Sequence, residues 1–389
     1  MSSLGSQELI RDINSHLVLQ TIINGGPISR ADLSKSLGLT KATISSIVQN
    51  LMNDSLVVEI GSLNTDKGRK PILLDFNTGC GFILSIDLSV DTITAMLTDL
   101  RGGNRVLKQY AYPSGGSTET VPNLTKIIGE IINALPISVY GIVGICIGVH
   151  GVVHDNKAIF TPYYQLSDLD LAKELEDYFD IPVYIENEAN LSALGENNFY
   201  YDSSNLINIS VHSGVGLGII MDNHLYTGQH GYAGEFGHTI IVPDGKPCPC
   251  GNHGCIEQYA SQRAIVHLYR YISGNLGASA EELLKAYLAH DIYARQCIES
   301  FIKYMSIGVN NILTTFNPDI IVINSLFTMN IPDIIPRLEH NILNYMNKHC
   351  KVVPSILQDM AILLGGVYVC CKNFLKIEQL QLKRETINL

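Results

Sequence analysis

No apolar run in this chain reaches the ~18 residues needed to cross a bilayer as a helix. The N-terminus, MSSLGSQELIRD, mixes polar and charged residues and has no apolar core, so it is not a signal peptide. A disulfide framework is absent too. The nine cysteines are odd in number, and Cys80, Cys146, Cys297, Cys350, Cys370 and Cys371 lie scattered in apolar surroundings, as buried thiols do. From these absences the chain is expected in the cytoplasm. An excess of positive charge is also missing. The net charge is -11, so nucleic acid is repelled by the chain as a whole, and any DNA contact needs a local face. What remains is 389 residues, 46% hydrophobic and 16% charged, enough for two or three compact domains.

The first 76 residues read as one module. Leu9, Ile10, Ile13, Leu17, Val18 and Ile22 recur at helical spacing, and Gly25-Gly26-Pro27 ends the helix. Ser29 caps a short helix that Gly38 stops, and Thr40 caps a third, KATISSIVQNLMND. Ile44, Ile47, Val48 and Leu51 form its apolar stripe, and Lys41, Thr43, Ser45, Ser46 and Gln49 its other face. Two short helices across a tight turn make a helix-turn-helix whose small polar residues can approach bases and phosphates. Strands at 57–61 and 71–76 flank SLNTDKGRK, a wing with Lys67, Arg69 and Lys70 at its tip. The expected DNA contacts are Arg30, Thr40, Lys41, Ala42, Thr43, Ser45, Ser46, Lys67, Arg69 and Lys70. Residues 1–75 carry seven basic and seven acidic side chains, so affinity must come from placement and dimerisation. A three-helix packing module with a solvated hairpin is the bland alternative.

From about residue 80 strands and helices alternate, with helices expected over 122–134, 168–178, 189–200, 257–274, 280–290 and 292–315. FILSIDLSVDTITAMLTDL (82–100) and LINISVHSGVGLGIIMDNHLYTG (206–228) share one outline, strand, polar turn, strand, which reads as an internal repeat of two α/β lobes facing a cleft. Between them in character stands GHTIIVPDGKPCPCGNHGC (237–255). His238, Cys248, Cys250 and Cys255 supply one nitrogen and three sulfurs, the donor set of tetrahedral zinc. All four positions are filled by protein, so the expected ion, one zinc per chain, is structural.

These residues carry a resemblance. GYAGEFGHTIIVPDGKPCPCGNHGCIEQYAS (231–261), with IENEANLSALGE (185–196) and SGVGLGIIMDNHLYTG (213–228) in order, resembles the signature of the ROK family of bacterial repressors and sugar kinases. The resemblance implies an α/β fold: an N-terminal winged helix-turn-helix, residues 1–76, followed by a two-lobed actin-like (ribonuclease-H-like) ROK domain, residues 77–389. It implies that Glu235, His238, Glu257 and Asn187 reach sugar hydroxyls. The zinc would then do no chemistry and would pin the loop that presents His238 and Glu257.

Catalysis is not expected. The family kinases place Asp where this chain has Glu188, one methylene longer. Their first phosphate turn, Asp-x-Gly-Gly-Thr, is here Asp87-Leu88-Ser89-Val90-Asp91, whose Cβ atoms bar close approach of backbone amides to phosphate. A second turn, Ser213-Gly214-Val215-Gly216, is partly kept, and a Gly-Gly after a strand is replaced by Asn324-Ser325. The expectation is therefore a repressor whose old kinase pocket senses a sugar. Glu188 would take the space of a hexose C6 hydroxymethyl and favour a pentose. Glu-Asn-Glu with a helix-turn-helix resembles the xylose repressors of the family, which implies D-xylose as effector. Tyr163 departs from the family Asn and either stacks on a sugar face or fills the cleft. The implied partners are operator DNA and that sugar, on a homodimer or a dimer of dimers. A sugar kinase with an appended DNA domain, and a repressor governed by another sugar or a protein, remain the alternatives.

Overall fold

The computed structural model describes residues 2–62, 71–112, 117–162, 166, 169–344 and 349–382. The expected wing-tip cations Lys67, Arg69 and Lys70, and Tyr163, lie outside these residues. Packing divides the chain into two compact units, Met1–Glu186 with Gly366–Leu389, and Asn187–Gly365.

The first unit opens with α1 (Ser2–Gly25), β1 (Ile28–Ser29), α2 (Arg30–Leu37), α3 (Lys41–Asn53), β2 (Val57–Ser62) and β3 (Ile72–Phe76). The caps fall where the sequence puts them. Ser29 accepts from the Asp32 N–H, Gly38 ends α2 at φ +66°, and Thr40 accepts from the Thr43 N–H. Val18, Ile22, Leu33, Ile44 and Val48 are fully buried and form the core of this module. Its strands pair in the order β1-β3-β2, the antiparallel arrangement of a wing.

Next come β4 (Phe82–Leu88), β5 (Thr92–Asp99), β6 (Val106–Ala111), α4 (Ser117–Ile132), β7 (Ile142–Val149), β8 (Val152–His154), β9 (Lys157–Phe160), α5 (Leu171–Phe179) and β10 (Val183–Asn187). In the second unit stand α6 (Glu188–Glu196), β11 (Leu206–Val211), β12 (Val215–Met221), β13 (His224–Leu225), α7 (Glu257–Ala260), α8 (Gln262–Ser273), α9 (Ala280–Leu288), α10 (Ile292–Phe316), β14 (Ile320–Ser325), α11 (Leu326–Asn330), α12 (Ile334–Asn341) and β15 (Lys351–Pro354). Last comes α13 (Met360–Leu375), which begins in the second unit and ends in the first.

The internal repeat is visible in the topology. One five-stranded sheet runs β6-β5-β4-β7-β10 and the other β13-β12-β11-β14-β15. Each is a three-strand antiparallel meander whose first strand also pairs in parallel with a later strand, β4 with β7 and β11 with β14. β7 and β11 are buried along their whole length, as sheets covered on both faces require.

Two features depart from the sequence reading. Residues 257–274 were expected as one helix, but Ser261 is extended and caps α8 by accepting from the Ala264 N–H, so the chain turns there. No element was expected at 360–375. α13 is buried nearly all round and so shows no amphipathic period, and it contains Gly365-Gly366, a poor signal for a helix. The pair is needed for close packing. A Cβ on Gly365 would lie 1.9 Å from the Leu191 carbonyl oxygen, and one on Gly366 2.1 Å from Ser85 Oγ.

Candidate functional site

The cysteine loop of the second unit is a compact hairpin closed by its own backbone. Ile240 bridges Cys255 and Pro247 bridges His253. The Cys248 N–H donates to the Asn252 carbonyl at 2.9 Å and the Gly254 N–H to the Lys246 carbonyl at 2.8 Å. Gly254 has φ +83°, and any Cβ there would fall 1.7 Å from the Val242 carbonyl oxygen. The folded loop brings His238, Cys248, Cys250 and Cys255 together, with one ligand atom from each lying within 4.8 Å of all the others. His238 Nδ1 is 3.5 Å from Cys248 Sγ, and Cys250 Sγ is 3.7 Å from Cys255 Sγ. This donor set can hold a metal ion. Burial, with the neighbouring Cys248 and Cys250 thiols, pushes Cys255 up to about 12, so its ionisation as a ligand calls for a cation beside it.

The other ring nitrogen of His238 faces away from the sulfurs. Nε2 is 3.7 Å from Glu235 Oε2. Glu235 starts the short turn Phe236–His238, and burial raises its carboxyl above the usual range, with His238 partly offsetting this and Glu257 adding to it. Glu257 opens α7, directly after Cys255-Ile256, so the cysteine loop fixes its position. Its Oε2 would lie 2.7 Å from a Cβ on Gly214, which places it against the retained glycine turn. Its Oε1 is 3.1 Å from Arg263 Nη2. The sequence reading missed Arg263. The break at Ser261 is what turns it back to Glu257, and an uninterrupted helix over 257–274 hides that contact.

Asn187 and Glu188 stand at the junction of β10 and α6. Asn187 Oδ1 caps α6, accepting from the Ala189 N–H at 2.8 Å and the Asn190 N–H at 3.1 Å. The acceptor is thereby committed to the helix, and the side-chain amide N–H2 is the end suited to a ligand hydroxyl. Glu188 Oε1 would lie 3.7 Å from a Cβ on Gly216. Thus Glu188 and Glu257 both border the Gly214–Gly216 turn, and Glu235 and His238 adjoin Glu257. With Asn187, which directly precedes Glu188, these make five of the six sequence-derived sugar residues; the sixth, Tyr163, lies outside the described residues.

The nucleotide motifs look different. In the first unit the 87–91 turn has no residue at positive φ, and its Ser89 N–H donates to the Thr92 carbonyl at 2.9 Å. Asp87 Oδ1 lies 3.4 Å from His150 Nε2. In the second unit Asn324 and Ser325 are fully buried, and the Asn324 amide donates to Ser192 Oγ and the Gln358 carbonyl.

On the winged module, Lys41, Ala42, Ser45 and Ser46 are exposed along one side of α3, with Thr43 half-buried. Thr40 and Thr43 share a hydroxyl hydrogen bond at 2.9 Å. Arg30 pairs with Glu59 of β2 at 2.9 Å, which holds the start of α2 to the wing.

Comparison with known proteins gives two family matches, a winged helix-turn-helix DNA-binding model over residues 11–58 and the ROK family over residues 83–371. The xylose repressor of Bacillus subtilis (strain 168) is 36% identical over 380 residues, covering 96% of this chain and 98% of that one. Among solved structures, a ROK family transcriptional regulator homologous to the E. coli MLC protein matches with TM-score 0.80 and 28% identity, over 94% of this chain and 96% of that one. A ROK glucokinase from Streptomyces griseus, in complex with glucose and AMPPNP, matches with TM-score 0.66 and 23% identity over 74% of this chain and 99% of its own length, a likeness of fold.

Proposed function

The chain belongs to the ROK family, and from that premise we propose that it is a sugar-responsive transcriptional repressor whose hold on operator DNA is relieved by D-xylose. The observation that carries this reading is one chain joining a winged helix-turn-helix to the Glu188–Glu235–His238–Glu257 cluster. Arg30, Thr40, Lys41, Ala42, Thr43, Ser45 and Ser46, with Lys67, Arg69 and Lys70 of the wing, would make the DNA contacts. A homodimer or dimer of dimers would set two recognition helices about 34 Å apart on a pseudo-palindromic operator in the cytoplasm.

In the second unit, Glu235, Glu257 and His238 would accept from or donate to sugar hydroxyls, and Asn187 would donate through its amide. Glu188 would fill the space of a C6 hydroxymethyl and so favour a pentose. We assign zinc to His238, Cys248, Cys250 and Cys255. One nitrogen and three sulfurs are a zinc donor set, and here the four atoms converge to within 4.8 Å of one another with the pairs at 3.5 and 3.7 Å already near van der Waals contact. When bound, the ion holds the loop shut and leaves no coordination site for substrate. His238, ligated through Nδ1, would keep Nε2–H directed to Glu235 and the sugar. No phosphoryl transfer is assigned. The 87–91 turn offers no glycine amide cradle, and Asn324-Ser325 fill their site with side chains.

The test is fluorescence anisotropy of the protein on labelled DNA from upstream of its own gene, at fixed salt, titrated with D-xylose and in parallel with D-glucose. A coupling of ~1–3 kcal/mol gives roughly 5–150-fold weaker DNA binding with D-xylose. Unmoved binding with both sugars would remove the sugar assignment.

A further inference from the structure

One arginine is buried where the winged module meets the sheet of the first unit. Arg101 follows β5 in the turn to β6 and is only 8% exposed. Its Nη2 donates to the Ile23 carbonyl at 2.8 Å, and its Nη1 is 3.7 Å from Asp75 Oδ1. The guanidinium carbon stands 5.7 Å from the centre of the Phe76 ring. Ile23 belongs to α1, and Asp75 and Phe76 to β3, so all three partners lie in the winged module. The arginine itself belongs to the sheet hairpin.

That hairpin is a firm base. Asp99 Oδ1 accepts from the Arg101 N–H at 2.9 Å and the Gly103 N–H at 2.8 Å, and its Oδ2 accepts from the Asn104 amide at 3.1 Å. The Leu100 N–H donates to the Thr78 carbonyl at 3.0 Å, tying the hairpin to the segment that leaves the wing. Two further seams flank Arg101. Tyr140 donates its hydroxyl to the Asp54 carbonyl at 2.6 Å, at the end of α3, while its ring meets Phe374 of α13 edge-on. Beyond α13, the Gln379 carbonyl accepts from Gln20 at 2.8 Å and Asn24 at 3.0 Å, and the Gln381 N–H donates to Asn24 Oδ1 at 2.9 Å.

We propose that Arg101 is a positioning residue for regulation, fixing the winged module to the body of its unit so that a displacement of that body carries the recognition helix α3 with it. The guanidinium is suited to this. Its donors are held in a rigid planar fork, so one side chain can satisfy a carbonyl on one element and a carboxylate on another in fixed directions. Sliding along the closed seam would strand a charge and an aspartate away from water, so the junction holds or parts and does not slide. A junction built only of apolar contacts and the peptide link at 77–81 would let the module pivot and would lose the signal. The functional half of this inference rests on the repressor reading above.

The experiment uses the full chain with three variants: Arg101→Met, which keeps the stem and loses the fork; Arg101→Met with Asp75→Asn, which leaves no carboxylate stranded; and Arg101→Lys. Hydrogen exchange is read first and needs no effector. Both Met variants should exchange faster at the C-terminal end of α1 and across 376–382, with Asn187–Gly365 unchanged. Unchanged exchange at those seams in a folded double variant overturns the clamp. DNA affinity is then measured with and without D-xylose. The double variant should bind the sugar as the wild type does, but its ratio of affinities should shrink from roughly 5–150-fold to within about twofold, with partial recovery in Arg101→Lys. A role in stability alone would lower both affinities together and leave the ratio intact, which would also overturn the proposal. If the wild type ignores the sugar, the repressor reading fails, and the exchange data alone decide for or against the clamp.

Discussion

The β4–β5 hairpin of the first unit and the β11–β12 hairpin of the second occupy the same place in sheets of the same strand order. Their turns have gone opposite ways. Ser89 and Val90 cap the first with side chains on an ordinary turn, and Asp87 below them faces His150. The second keeps Gly214, and the bare Cα is what admits the Glu257 carboxylate alongside. A repeated scaffold tells where a ligand could once have been held twice. The Cβ atoms at each turn tell which half still has room. By this comparison the second unit keeps room at its turn for the proposed sugar site, while the first carries the DNA-binding module.

The largest effect expected from breaking this division is at the cysteine loop. Structural zinc in small domains contributes an apparent ~10–16 kcal/mol to folding, so Cys250→Ser should lose stoichiometric metal by elemental analysis. Sugar binding should go with it, since Glu257 follows the last cysteine by two residues and His238 is in the loop. DNA affinity without sugar should stay within about threefold, because the winged module packs within the first unit. Retained sugar affinity in metal-free protein would contradict the pinning role.

A smaller effect is expected at the two turns themselves. Gly214→Ala puts a Cβ 2.7 Å from Glu257 Oε2, and the carboxylate must give way. Loss of one charge-assisted hydrogen bond, about 1.5 kcal/mol, corresponds to about tenfold weaker sugar binding by calorimetry. The reverse change in the other hairpin, Ser89→Gly with Val90→Gly, should leave sugar affinity untouched and cost about 0.5–1 kcal/mol of stability per glycine. It should not create ATP turnover, because Glu188, Asn324 and Ser325 still differ from the kinase pattern. Sugar-dependent ADP release by the double variant would show that the first turn alone had silenced an enzyme.

Much of this was legible in the sequence. Ser29, Gly38 and Thr40 announce the helix-turn-helix because caps are local chemistry, and the cysteine spacing announces the ligand set because the hairpin is closed by neighbours. What was hidden depends on distant packing. α13 has no polar face to give it a period, and its two glycines make sense only against Leu191 and Ser85. Arg263 is found only once the break at Ser261 is known. Arg101 looks like a solvated turn residue in Leu-Arg-Gly-Gly until Ile23 and Asp75 close over it.

The smallest effect concerns the far end of α6, the helix that Glu188 begins. Glu196 is fully buried, with Oε1 accepting from Ser355 Oγ and, at 3.1 Å, from the Leu357 N–H. Its Oε2 is buried with no hydrogen-bond partner among the described residues. Burial raises its carboxyl above the ordinary value, and the hydrogen bonds only partly offset this. The folded protein therefore binds this proton more tightly than the unfolded chain does. Between the unfolded value, ~4.3, and the higher folded one, the native state carries more protons, so stability falls as pH rises through that window. Glu196→Gln removes the titration while keeping an acceptor for Leu357. The melting temperature of the variant relative to wild type should rise between pH 4.5 and pH 8, by about 2–4 °C if the linkage is worth ~1 kcal/mol in a unit of this size. Parallel curves across that range would mean that Glu196 is ionised at both ends, held by a partner that its position beneath the second sheet does not supply.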